Sequence, residues 1–231
     1  MKIAMHIPCY INELFPEVAR DSVLLLRKLG FEVSIPKNQT CCGEPFINNG
    51  FDTELPHIYD EIFKSFDYIV SCASSCVNTI HSQNINISTK THELIDFLYM
   101  QGFRNLIKNH PPLILHNSCQ SMKYQISATP SELNIPHLNK VKEVLGCELI
   151  EAKKQECCGF GGSYSLMEGE ISYVMGKEKL EDLLSGWKYD QTPTITSVDM
   201  SCLMHLKGIA DKEKMDINFE HVSTVLLKGL S

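Results

Sequence analysis

The 231-residue sequence has little that would place it in a membrane, on nucleic acid or around a nucleotide. No apolar stretch approaches the roughly 20 residues that a bilayer-spanning helix needs, and residues 1–10 lack the apolar core and cleavage site of a secretory leader. There is no long run of Lys and Arg, and 21 of them against 28 Asp and Glu give a formal charge of −7. That balance argues against nucleic acid or an anionic membrane as the main partner. The glycines of Gly159-Phe160-Gly161-Gly162 are followed by no P-loop Lys-Ser/Thr pair and do not form a dinucleotide fingerprint. No Ser-His-Asp or paired-carboxylate arrangement stands out. Nothing in the chain therefore reads as a site for a hydride carrier or as an evident catalytic base.

What is abundant is cysteine, ten in all. With neither leader nor membrane span, the expected setting is a reducing cytoplasm, where cysteines read as metal ligands or redox groups. Nine of them fall in two constellations, and eight of these match between the two. In the first, 31 residues separate Cys9 from the doublet Cys41-Cys42-Gly43, and 29 more separate Cys42 from Cys72, which is followed by Cys76. In the second, 37 residues separate Cys119 from Cys157-Cys158-Gly159, and 43 separate Cys158 from Cys202. Adjacent cysteines can hardly bridge each other with normal torsions. They suit two thiolates aimed at one metal centre.

The surroundings repeat as well, and an internal repeat governs every other reading. His6-Ile7-Pro8-Cys9 matches His116-Asn117-Ser118-Cys119, and Leu29-Gly30-Phe31-Glu32-Val33 matches Leu145-Gly146-Cys147-Glu148-Leu149. Ser75-Cys76-Val77 matches Ser201-Cys202-Leu203, and His92-Glu93-Leu94 loosely matches His221-Val222-Ser223. Two cysteine-rich units are expected, residues 1–109 and 110–231, each near the common domain size.

Within each unit strand and helix alternate. Strands are expected at Lys2 to Ile7, Phe31 to Ile35 and Asp67 to Ser71, then at Leu113 to His116, Glu148 to Glu151, Thr194 to Ser197 and Ile217 to Phe219. Helices are expected at Pro16 to Leu29, around Ile58 to Phe66, Leu94 to Met100, Leu138 to Leu145 and Leu180 to Leu184. Such alternation predicts an α/β fold with two tandem, small, mostly parallel sheets. Ligands of open α/β sheets collect beyond the carboxyl ends of the strands, where Cys9, Cys76, Cys119 and Cys202 fall. The doublets lie in loops before helices, where backbone N–H groups can donate to sulfur. Gly43 and Gly159 suit close approach or positive φ there.

At these residues the chain resembles the cysteine-rich proteins with duplicated Cys-Cys-Gly motifs, among them the cysteine-rich subunit of heterodisulfide reductase and iron-sulfur subunits of glycolate oxidase. Within that group it is most similar to the lactate utilization A proteins. It consists of the two repeats alone and contains Cys157-Cys158-Gly159-Phe160-Gly161-Gly162-Ser163 and Ser201-Cys202-Leu203-Met204. The resemblance spans nearly the whole chain. It implies iron-sulfur clusters, cubane or non-cubane 4Fe-4S, and electron transfer in oxidation of L-lactate to pyruvate alongside companion proteins B and C. Carried over by position, the ligands are Cys9, Cys41, Cys42 and Cys76 at the first site and Cys119, Cys157, Cys158 and Cys202 at the second. Cys72 is either a fifth ligand or strand-end filler, and Val198 stands opposite it in the repeat. Four thiolates at the second site suit zinc as well as a cluster. Two other readings stay open, thiol-disulfide chemistry at a cluster and a zinc-binding structural or docking role. Cys147 reads as core. His6 and His116, each three residues before a cysteine, are either hydrogen-bonding neighbours of a thiolate or satisfied core histidines.

Overall fold

The computed structural model describes residues 1–51, 58–83, 86–123 and 139–230. Two four-stranded, all-parallel sheets form. The first contains β1 (Ile3–His6), β2 (Val33–Ser34), β3 (Tyr68–Ser71) and β4 (Thr91–Glu93), in the order β2-β1-β3-β4. The second contains β5 (Leu113–Leu115), β6 (Leu149–Glu151), β7 (Thr194–Ser197) and β8 (Asn218–His221), in the order β6-β5-β7-β8. The α/β class and the duplication are both present. Ile3-Ala4-Met5-His6 is buried throughout, as expected of a parallel strand covered on both faces.

Between the strands run α1 (Cys9–Leu14), α2 (Pro16–Lys28), α3 (Glu44–Asn48), α4 (Ile58–Phe63), α5 (Ser74–Ser82) and α6 (Leu94–Met100). The second half carries α7 (Cys119–Lys123), α8 (Lys140–Leu145), α9 (Tyr164–Met167), α10 (Gly169–Leu184), α11 (Met200–Lys212) and α12 (Val222–Gly229). Helix α2 shows its causes in sequence. Pro16 fits the first turn, Arg27 and Lys28 meet the negative end of the dipole, and Val18, Leu25 and Leu26 are buried.

Several elements depart from the sequence expectation. Strand β4 was not foreseen, because Thr91-His92-Glu93 is polar and has no apolar run to mark it; its partner β3 holds it at the sheet edge. The strand expected at residues 31–35 shrinks to Val33–Ser34, helix α5 begins among small polar residues that give no helical periodicity, and helix α11 was not foreseen although its buried Leu203, Leu206 and Ile209 recur at helical spacing. Helix α10 starts at Gly169, well before Leu180. Leu138, the expected start of α8, lies outside the described residues.

The final strands also correct the repeat alignment. Glu93 and His221 occupy the same place, each ending a strand and capping the next helix: Glu93 accepts from the N–H groups of Ile95 and Asp96, and His221 from that of Ser223. Cap position, not the shared histidine, fixes the register.

The halves exchange helix contacts reciprocally. Helix α6 of the first half packs on α8 of the second, and α12 of the second packs on α2 of the first. Thr224 Oγ1 donates to Asp21 Oδ2 at 2.8 Å across the latter contact, and Lys140 pairs with Asp96 across the former. One continuous apolar core therefore runs from Ile3 to Leu226. This juxtaposition brings the carboxyl ends of β3 and β7 to a common seam.

Candidate metal centres

In each sheet the chain turns in opposite directions from the two central strands, β1 and β3 or β5 and β7. The crevice at such a switch point is where α/β sheets bind ligands. Cys9 opens α1 just past β1, the doublet Cys41-Cys42 lies in the loop after β2, and Cys76 sits in the first turn of α5 after β3. Cys119, Cys157-Cys158 and Cys202 occupy the equivalent places past β5, β6 and β7.

The four sulfurs of each set form a contiguous chain. Cys9 is hydrogen-bonded to Cys41, Cys41 to Cys42, and Cys42 Sγ lies 3.4 Å from Cys76 Sγ. Cys119 contacts Cys157, Cys157 contacts Cys158, and Cys158 contacts Cys202. The 3.4 Å separation is near the roughly 3.8 Å expected between thiolates on one tetrahedral ion with bonds of about 2.3 Å. Burial follows the same gradient in both sets: Cys9 and Cys119 are exposed, Cys41 and Cys157 half-buried, and Cys42, Cys76, Cys158 and Cys202 buried.

Electrostatics distinguishes the members of each chain. Cys41 is held far below the ordinary thiol range because it accepts hydrogen bonds from Cys42 and Cys9, with a further one from the N–H of Gly43 at 3.4 Å. Cys157 is held down likewise by Cys119, Cys158 and the N–H of Gly159, also at 3.4 Å. The donating thiols Cys9, Cys42, Cys119 and Cys158 are pushed up, chiefly by those same bonds and then by burial. Four crowded sulfurs cannot all ionise without a cation among them. A thiophilic metal or an iron-sulfur cluster fits that donor set.

The doublet loops are shaped for this role. Gly43 and Gly159 adopt φ of 87° and 88°, turning their N–H groups back toward the first sulfur of each doublet. A Cβ on Gly159 would meet Ser172 O at 2.7 Å and Met175 Cβ at 2.9 Å. Gly159→Ala should therefore cost about 1–3 kcal/mol and displace the second doublet, lowering both the melting temperature and the metal retained there. Unchanged values of both would show that the loop tolerates the side chain.

Sequence reading overlooked a glutamine two residues before each doublet. Gln39 accepts from the N–H of Ile7 at 2.8 Å and donates to Met5 O at 2.9 Å, tying the doublet loop to β1. Gln155 accepts from Asn117 at 3.3 Å in the other half. The repeated Gln-X-Cys-Cys-Gly spacing was the available signal. Asp199 was overlooked too. It is 1% exposed and accepts from Ser74 and Ser118 hydroxyls and from the Ser75 N–H at 3.3 Å, joining the segments that carry Cys76, Cys119 and Cys202. Its repeat counterpart is Ala73, so the signal was a break in the repeat. The hydroxyl of half-buried Tyr10 is enclosed nearby and raised by burial and by the charges of Asp199, Cys76, Cys72 and Cys202.

The remaining candidates separate. Cys72 is fully buried and hydrogen-bonded to Ser22 of α2; its sulfur is not part of the contact chain, although it feels the charge of Cys76. Cys147 is half-buried against the core, its thiol pushed up to about 11 by burial, with no other cysteine contributing. His6 is satisfied by Ser71 Oγ at 3.0 Å and Tyr59 OH at 3.1 Å. His116 is 1% exposed, and among the described residues neither of its nitrogens has a hydrogen-bond partner. Burial depresses both, to about 4 for His6 and about 3 for His116, so both are neutral.

A pair of parallel sheets with one four-cysteine cluster at each switch point defines a duplicated cysteine-rich α/β protein. The cysteine-rich domain family, characterised by Cys-Cys-Gly, matches residues 3–81 and again 113–207. Lactate utilization protein A 1 of Bacillus mycoides (strain KBAB4) is 31% identical over 98% of this chain and 96% of its own. Lactate utilization protein A 2 of Bacillus cereus (strain Q1) is 29% identical over the full length of both. The chain belongs to the cysteine-rich domain family, in two copies, and within it to the lactate utilization A proteins.

Proposed function

We propose that the chain is an iron-sulfur electron-transfer subunit of a system that oxidises L-lactate to pyruvate, working with companion proteins of the B and C type. The observation that carries this reading is the pair of matched four-thiol chains at one seam, in a chain similar along its whole length to proteins named for lactate utilization. Residues 1–109 and 110–231 each supply one centre. Cys9, Cys41, Cys42 and Cys76 would hold the first group, and Cys119, Cys157, Cys158 and Cys202 the second. Iron-sulfur groups bound there would take up and release single electrons.

The protein's own residues contribute the setting. The buried thiols exclude water from one end of each site, and Gly43 and Gly159 donate to sulfur, which tunes the potential. Exposed apolar side chains flank both doublets, Phe46 and Phe51 at the first and Leu166, Met167 and Ile171 at the second. Asn49 donates to Ser163 Oγ at 2.7 Å between the two loops, so these side chains lie near one edge, suited to a partner carrying the lactate-oxidising centre.

Pyruvate formation with an artificial electron acceptor should be negligible for the anaerobically prepared chain alone and restored when it is mixed with its companion proteins. Turnover by the chain alone would refute the subunit role. Companion proteins fully active without it would favour a structural or docking role instead.

A further inference from the structure

We propose that His116 is a nitrogen ligand of the metal at the second centre, which makes the two centres chemically unlike. The inference rests on the reading of the cysteine quartets as metal sites and adds a donor that the cysteine pattern does not contain.

The two halves place a histidine at the same position, three residues before the first cysteine and at the carboxyl end of the strand, yet treat it differently. At the first centre both nitrogens of His6 are engaged, by Ser71 Oγ at 3.0 Å and Tyr59 OH at 3.1 Å. Those bonds hold the ring as a neighbour of the thiols. At the second centre neither nitrogen of His116 finds a partner among the described residues, although the side chain is 1% exposed. A buried imidazole left without partners costs about 1–3 kcal/mol per orphaned group, and such a group in a native fold calls for an unseen ligand.

The direction of the ring identifies that ligand. Among the described residues, a nitrogen of His116, Cys158 Sγ and Cys202 Sγ all lie within 4.8 Å of one another. The corresponding separations around a tetrahedral ion are about 3.6–3.8 Å, given bonds of about 2.1 Å to nitrogen and about 2.3 Å to sulfur. A contraction of about an ångström would complete the set, with Cys157 next along the chain of thiols. The repeat explains why the second half can use nitrogen. Tyr59, which occupies His6, sits on α4, whereas the corresponding stretch of the second half is the long helix α10, whose buried Lys179 binds Lys154 O at 2.6 Å instead. Helix α10 thus offers His116 no acceptor or hydroxyl, and the ring remains turned to the sulfurs.

The test uses the full chain, freed of metal, carrying Cys41→Ser and Cys42→Ser so that only the second centre reports. Co(II) alone is the probe. The parent should bind Co(II) with the ligand-field and sulfur charge-transfer bands of a mixed sulfur and nitrogen site. Adding His116→Ala should weaken binding by about 100-fold. Adding His116→Cys should retain binding with the ligand-field bands moved to lower energy, as sulfur replaces nitrogen. To exclude misfolding, His116→Ala in the otherwise natural chain should still load Co(II) at the first centre. Affinity and spectrum unchanged in both variants would overturn the proposal while leaving the metal site standing. A parent that takes no Co(II) at the second centre, from a chain that also retains no iron or zinc there when purified anaerobically, would refute the metal-site reading and this proposal together.

Discussion

Cys42→Ala should empty the first centre and leave the second loaded, so that metal per chain falls by about half. Cys42 is the junction of its sulfur chain: it touches Cys41 on one side and lies 3.4 Å from Cys76 on the other, at 4% exposure. Its removal leaves Cys41 and Cys76 without a bridge and opens a gap at the buried end of the site, where water cannot easily serve as substitute ligand. Cys158→Ala, the equivalent change at 2% exposure, should mirror the result at the second centre. Cys147→Val should change nothing, since that thiol adjoins no other cysteine. Cys72→Ala decides between the two readings of that residue: as a partner of Ser22 it should lower stability and spare the metal, and as a fifth ligand it should lower metal at the first centre alone. Iron, zinc and sulfide analysis of anaerobically purified variants measures all four. Equal metal loss from Cys42→Ala and Cys147→Val would mean that the thiol chains are not the metal sites.

The contrast between those cysteines shows what a repeat can and cannot reveal. The doublets, the preceding cysteines and the glycines were legible because chemistry forces the same residue types at the same strand ends in both halves. The α/β class was legible because buried parallel strands are continuous apolar runs. Strand β4 was not, since a polar edge strand owes its conformation to β3 and has no pattern of its own. Helix α5 was hidden by its opening serines, Ser74 and Ser75, which bond across the seam to Asp199 and give no helical periodicity.

Functional differences between the halves were also hard to read, because a repeat draws attention to sameness. His6 and His116 look equivalent in sequence and become different only when their surroundings are known, a tyrosine and a serine for one and sulfurs for the other. Cys72 and Val198 differ in sequence but share a fully buried position, at 0% and 1% exposure. That shared burial supports a packing role for both. The informative asymmetry was instead the replacement of Ala73 by Asp199, a charged residue in a place where the other half keeps a methyl group.

Asp199→Ala should be the most damaging single change at the seam, costing roughly 3–5 kcal/mol and lowering metal at both centres, where a cysteine variant affects one. The carboxylate accepts from the hydroxyls of Ser74 and Ser118, both fully buried, and from the N–H of Ser75. Its loss orphans these donors at about 1–3 kcal/mol each, beyond the reach of water. Against a total stability of about 5–15 kcal/mol this is a large fraction, and the melting temperature should fall by roughly 10 °C. The effect reaches both centres because Ser74 opens the helix bearing Cys76, Ser118 precedes Cys119, and Asp199 immediately precedes the helix bearing Cys202. Asp199→Asn separates charge from bonding, since an amide oxygen in the place of Oδ2 can still accept from both serines, losing only the acceptor for the Ser75 N–H, and should cost less. Burial lifts the Asp199 carboxyl above its usual 3.8, so the stability it contributes is fully present below that pH and declines as pH rises through the lifted value. The Asn variant should lose that slope. Thermal melts across pH, paired with metal analysis, measure both consequences; an Ala variant with unchanged melting and metal content would show that the two halves are held in register by their exchanged helices alone.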